Sequence, residues 1–123
     1  MIVEQSATTL EVGIDNLLNS AKADYVKRYG SDVNSDVAKK MIGQFNDGFV
    51  VMSGQKYVKI MCGNGGTPGG SCWGFVVKED TPKFKKGDIL KPAGWNKPAT
   101  NAARGNVLDG NYEIHWTGPV YLS

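Results

Sequence analysis

The chain has 123 residues, 41% hydrophobic and 21% charged, with a formal net charge of +2. That length suits one domain with a single core, and this balance of apolar and charged residues excludes global disorder. The charge is uneven, −2 over residues 1–50 and +4 over residues 51–123, but it is too mild for a dedicated, strongly basic DNA-binding domain.

The first residues, MIVEQSATTLEVG, have neither a basic start nor an apolar stretch, so no signal peptide is expected. Residues 10–29 read as a helix. Ile14, Leu17, Leu18, Ala21, Tyr25 and Tyr29 recur at steps of three and four and form one apolar stripe. Thr9 is placed to cap its start, Lys27 and Arg28 complement the dipole at its end, and Gly30 stops it. After a polar five-residue connection, residues 35–46 read as a second helix. Ser35 is its cap, Val37, Met41 and Phe45 are its stripe, and Gly48 is its stop.

From Phe49 the period changes. FVVM, YVKIM, WGFVV, DIL and YEIHW are short apolar runs separated by Gly, Pro, Asn and Asp. They predict a mostly antiparallel, twisted sheet of four to six strands, with an open sheet and a barrel-like curl both compatible with the pattern. In the last run Tyr112, Ile114 and Trp116 share one face, and Glu113, His115 and Thr117 share the other. Asp109-Gly110-Asn111 and Lys86-Gly87-Asp88 supply turns. Lys91–Asn106, with Pro92, Gly94 and Pro98, reads as an irregular excursion. The fold class expected is α+β in a single domain over 1–123: a helical layer (1–48) packed on a β-rich layer (49–123). The longest fully apolar run, Phe49–Met52, is far short of the roughly 20 residues of a membrane span.

Nine of the 16 glycines fall between Gly63 and Gly105. The loop Gly63–Ser71 has P-loop spacing at Gly65 and Gly70, but Ser71 stands where the phosphate lysine belongs and a strand follows instead of a helix; the plainer reading is a hairpin connection. His115 is the sole histidine, with Glu113 on the same strand face, and that face reads as solvated. One histidine, two cysteines and scattered carboxylates match no metal-ligand spacing, and no cofactor site emerges. Cys62 and Cys72 flank the glycine loop and read as reduced, half-buried thiols, with a bridge across the hairpin as the alternative. No catalytic constellation stands out, so a binding protein is expected rather than an enzyme.

The strongest functional signal is a basic and aromatic stretch. Lys83, Lys85, Lys86, Lys97 and Arg104, with Trp95 as an exposed ring, are the candidate ligand-binding residues. Lysines neutralise phosphates while aromatic faces stack bases, which suits nucleic acid or an anionic small molecule. The same lysines also serve to keep a sheet edge soluble. The alternatives are a protein–protein adaptor or inhibitor of a host factor, docking through the 91–106 loop or helix 10–29, and a homo-oligomer built through the sheet edge or that helix.

Residues 55–123 resemble small, uncharacterised proteins encoded by tailed bacteriophages. The segments that carry the likeness are Cys72-Trp73-Gly74-Phe75-Val76-Val77, Phe84–Lys91, Ala103-Arg104-Gly105-Asn106 and Trp116–Leu122. The resemblance implies a phage product acting in a bacterial cytoplasm, and it implies no activity.

Overall fold

A computed structural model describes residues 1–64, 67–94 and 96–121. Two helices pack against antiparallel sheets, giving the α+β class expected. Helix α1 spans Leu10–Lys27 and helix α2 spans Asp36–Asp47. Both caps are those read from the sequence: Thr9 Oγ1 accepts from Val12 N, and Ser35 Oγ accepts from Ala38 N. Gly30 has φ +53° and opens a 3-10 turn over Gly30–Asn34, where the polar connection was expected. The stripe of α1 is buried at Ile14, Leu17, Leu18, Ala21 and Tyr25. In α2 the expected stripe is largely outside the core. Val37 is 71% exposed and Met41 40%, while Ala38 is the buried residue. Ala38 is buried, and Ile42, Phe45 and Asn46 are half-buried.

The strands are β1 (Ile2–Val3), β2 (Val50–Ser53), β3 (Tyr57–Asn64), β4 (Thr67–Val77), β5 (Ile89–Leu90), β6 (Pro92–Gly94), β7 (Lys97–Pro98), β8 (Tyr112–His115) and β9 (Gly118–Pro119). They form three sheets in the orders β1-β8-β9, β2-β3-β4-β5 and β6-β7, with every named strand pair antiparallel. The sheets do not close into a barrel. β1 was not foreseen; it pairs Val3 with Tyr112 and buries Val3 completely enough to join the core.

The β3–β4 ribbon is covered on both faces. One face packs with α1, β1 and β8 into the main core, including Leu17, Ile60, Val76 and Ile114. The other face holds a smaller cluster of Phe75, Val77, Phe84 and Leu90, covered by the chain after residue 80. A bulge shapes the division. Ile60 pairs with Gly74 and Met61 with Cys72, so Trp73 is the extra residue. The alternation Trp73, Phe75, Val77 is thereby broken: Trp73 turns into the main core while Phe75 and Val77 face the other way. After the bulge Cys62 packs toward the main core and Cys72 toward the smaller cluster. The two thiols are free and stand on opposite faces of the ribbon, which keeps them apart as a disulfide pair.

The glycine loop is shorter than the sequence reading had it, because Thr67–Ser71 already belongs to β4. Gly65 and Gly66 lie outside the described residues. At Gly48 a Cβ would meet Gly63 N at 2.7 Å, so the end of α2 and the end of β3 approach this closely only because residue 48 lacks a side chain. The 91–106 excursion is also more ordered than expected. It contains the β6–β7 hairpin, and its end returns alongside β5. There Ile89 N donates to Gly105 O, Arg104 N donates to Ile89 O, and Asp88 bridges Asn106.

Candidate functional site

The basic loop between β4 and β5 is pinned by its own side chains. Phe84 N donates to Thr81 Oγ1, Lys86 N to Asp80 Oδ1 and Lys85 N to Asp88 Oδ2. Asn106 Nδ2 donates to Lys86 O and Asp88 Oδ1, while its Oδ1 accepts from Leu108 N and Asp109 N. The Phe84 ring plugs into the smaller cluster, and Lys83, Lys85 and Lys86 are left exposed around it. Asp80 and Asp88 therefore organise backbone and do not pair with the lysine side chains.

Two shallow hollows lie side by side and share Gln55, Lys56 and Tyr57. The first, about 370 Å³, carries Lys56 and Lys83 together with Glu79 and Asp80, so its charges balance. The second, about 280 Å³, carries Lys56 and Lys59, with Met52, Tyr57, Phe75 and Asn96, and has no carboxylate among the described residues of its lining. Lys59 Nζ donates to Asn96 Oδ1. Tyr57 stands half-buried between the hollows, packed edge-on against Phe75 at 5.9 Å between ring centroids.

Of the residues read from sequence, Lys83 lines this face, and Lys85 and Lys86 stand exposed on the same loop. Lys97 is exposed on β7 directly after Asn96. Trp95 lies outside the described residues. Arg104 is directed elsewhere: Nη1 donates to Val120 O at 2.8 Å, Nη2 to Asn101 Oδ1 and Nε to Ala102 O. Its neighbour Lys91 donates to Pro119 O and lies 3.9 Å from the centroid of Tyr121. Burial, then the nearby Arg104 charge, holds the Lys91 ammonium below the ordinary lysine range. Lys56, Lys59 and Tyr57 were missed, although the alternation Tyr57-Val58-Lys59 already puts a ring and a cation on one strand face.

A second cluster of rings and a cation lies at the other end of α1. Tyr25 stacks on Phe45 at 4.1 Å, and Trp116 meets both edge-on. Arg28 lies 5.0 Å from the Trp116 centroid and 5.3 Å from that of Tyr25, and no carboxylate among the described residues is within ion-pair distance of it. The hollow beside it measures about 190 Å³. Here the rings fill one another's faces. His115 Nε2 is 4.0 Å from Glu113 Oε1, both side chains half exposed, on the solvent side of β8.

Residues 4–121 match the model of a family of unknown function, DUF7717. The chain belongs to that family. The match takes in the helices and the sheets alike, so the family unit includes the helical layer as well as the Tyr57 face. No curated protein and no solved structure matches the chain significantly. Among the described residues no helix is long and apolar enough to cross a membrane.

Proposed function

We propose that this is a non-catalytic binding protein that takes single-stranded nucleic acid on the face around Tyr57. The observation that carries the reading is the hollow lined by Lys56 and Lys59 beside the half-open Tyr57 ring, with no carboxylate among the described residues of its lining. At about 280 Å³ it falls just below the size of ligand sites, which run from about 300 to 1,000 Å³, and it suits one base with its phosphate more than a large ligand. Lys83 on the adjoining hollow extends the cationic track, and Lys85, Lys86 and Lys97 flank it. The likeness of residues 55–123 to phage-encoded proteins supports a bacterial cytoplasm as its setting.

Titration of a fluorescent single-stranded oligonucleotide at several salt concentrations tests this. Three phosphate contacts give a slope of log affinity against log salt of about −2. Lys56→Gln lowers that slope by about 0.7, and Tyr57→Ala weakens binding about tenfold or more through the lost stacking. Absence of binding at low salt ends the proposal. A protein adaptor is the second reading. It is favoured by the exposed Val37 and Met41 on α2, and Val37→Lys with Met41→Lys would then abolish partner capture while leaving oligonucleotide binding intact.

A further inference from the structure

The hollow beside Tyr57 is rich in hydrogen-bond donors and poor in open acceptors. Lys56 and Lys59 bring ammonium groups, which donate and never accept. Asn96, an exposed residue between β6 and β7, lines the same hollow, and its Oδ1 accepts from Lys59 Nζ. An ammonium has nothing to offer an amide NH2. The amide therefore turns its oxygen to Lys59, and its NH2 is the end left for a ligand. Among the described residues that Nδ2 has no partner.

The other acceptors around it are largely taken. Ser53 Oγ and Gly54 O both accept from Lys78 Nζ, at 2.9 and 2.8 Å. Lys56 O accepts from Lys78 N at 3.0 Å, and Tyr57 O from Gly54 N at 2.8 Å. The side-chain oxygens still open to a donor are those of Gln55 and Tyr57. A ligand edge built of acceptors fits such a lining. An amine set against it leaves donor facing donor, with neither satisfied.

We infer that this hollow selects uracil and thymine over bases that carry an exocyclic amine, and that the Asn96 NH2 reads the base carbonyl. The inference deepens the nucleic-acid reading above and rests on it. Uracil and thymine have two ring carbonyls and no exocyclic amine. Cytosine carries an amine where they carry O4, and adenine has an amine and no carbonyl. The one ring donor of uracil, N3–H, lies between its carbonyls, and the Gln55 amide oxygen is the acceptor that suits it. A volume of about 280 Å³ also favours a single ring over a fused pair. Phosphate contacts carry no sequence information, so the preference belongs to the base edge and not to the lysine track.

The test compares affinities for single-stranded oligo-dU and oligo-dC of equal length at one salt concentration. The two share ring size and backbone charge and differ only at the edge in question. The unaltered chain should bind oligo-dU about fivefold more tightly, at the low end of base-edge discrimination. Asn96→Ala should bring the two affinities together. Asn96→Asp puts an acceptor where the NH2 stood and should shift the ratio toward oligo-dC; its added charge weakens both alike and cancels in the ratio. Equal affinities in the unaltered chain, or a preference for oligo-dC, overturn the inference and leave the nucleic-acid reading standing. A preference for oligo-dU that survives Asn96→Ala overturns it as well. If Asn96→Ala fails to fold, the Asn96→Asp ratio decides, and an unchanged ratio there overturns the inference equally. Absence of binding to either oligonucleotide at low salt removes the nucleic-acid reading itself, and this inference with it.

Discussion

The two faces of the β3–β4 ribbon are both apolar, yet they are covered by different kinds of element. On the first face a helix and a second small sheet lie over Ile60, Trp73 and Val76, leaving a cavity of about 540 Å³ beside Leu10, Ile14 and Val58. On the second face a loop pinned by Asp80, Asp88 and Asn106 lies over Phe75 and Val77, and the cover stops at Tyr57. A helix must bury its whole stripe, whereas a loop can be held by one ring and a few hydrogen bonds and leave the rest to solvent. The lysines gather where the loop ends. The contrast predicts stability effects on the first face and binding effects on the second.

The sharpest way to break it is Trp73→Ala. The ring is 2% exposed, packs edge-on to Phe49 and donates from Nε1 to Trp116 O. Its loss should cost about 3–5 kcal/mol in urea unfolding. A cost near 1 kcal/mol would mean that the bulge does not place Trp73 in the main core. Phe84→Ala comes next, at about 2–4 kcal/mol, because the ring is the apolar anchor of its loop. Unlike the Trp73 change, it should also lower oligonucleotide affinity under conditions where the protein is fully folded, since Lys83 rides on that loop. Equal affinity in the folded variant would separate Lys83 from the site.

A third effect belongs to the first face and depends on pH. The Tyr112 phenol is buried, has no hydrogen-bond partner among the described residues, and its pKa is pushed up to about 12 by burial. In the unfolded chain it returns to about 10. The unfolded state therefore loses its proton first. Stability is at its full value below about pH 10 and falls as the pH climbs toward 12, by up to about 2–3 kcal/mol. Tyr112→Phe should be neutral or stabilising at pH 7, since it removes an unsatisfied hydroxyl, and should flatten the alkaline fall. Tyr25, whose pKa is also raised by burial, keeps a residual slope. An unchanged alkaline profile in Tyr112→Phe would show that the hydroxyl reaches solvent.

How much of this was legible in the sequence follows the range of the interactions. Both helices and their caps rest on contacts three and four residues apart, and Thr9, Ser35 and Gly30 announce them locally. The polarity of Glu113 and His115 against Tyr112 and Ile114 is likewise a local alternation. The strand Ile2–Val3 is two residues long, too short to carry a period, and exists because β8 stands beside it. The bulge at Trp73 is set by the partner strand, so the pattern Trp73-Phe75-Val77 misleads about faces even though all three are buried. The site suffered in the same way. Lys83 lies in the stretch singled out by its charge, but Lys56 and Lys59 reach it across 24 or more residues of chain through the β2–β3 turn and its pairing with β4.

Arg104 gives the smallest and most discriminating test of where the ligand-facing cations end. By sequence it belongs with the lysines. In the fold its guanidinium spans Val120 O, Ala102 O and Asn101 Oδ1, tying the return of the excursion to the last described strand region. Arg104→Gln should cost about 1–2 kcal/mol, as a half-exposed set of charge-assisted bonds to backbone would, and should leave the salt slope of oligonucleotide binding unchanged. Lys56→Gln should do the reverse, leaving stability within about 0.5 kcal/mol and lowering the slope. If Arg104→Gln lowered the slope with stability intact, the cationic track would have to extend past the β6–β7 hairpin to the edge of β9. The open region of the second face would then be far larger than the two hollows at Tyr57.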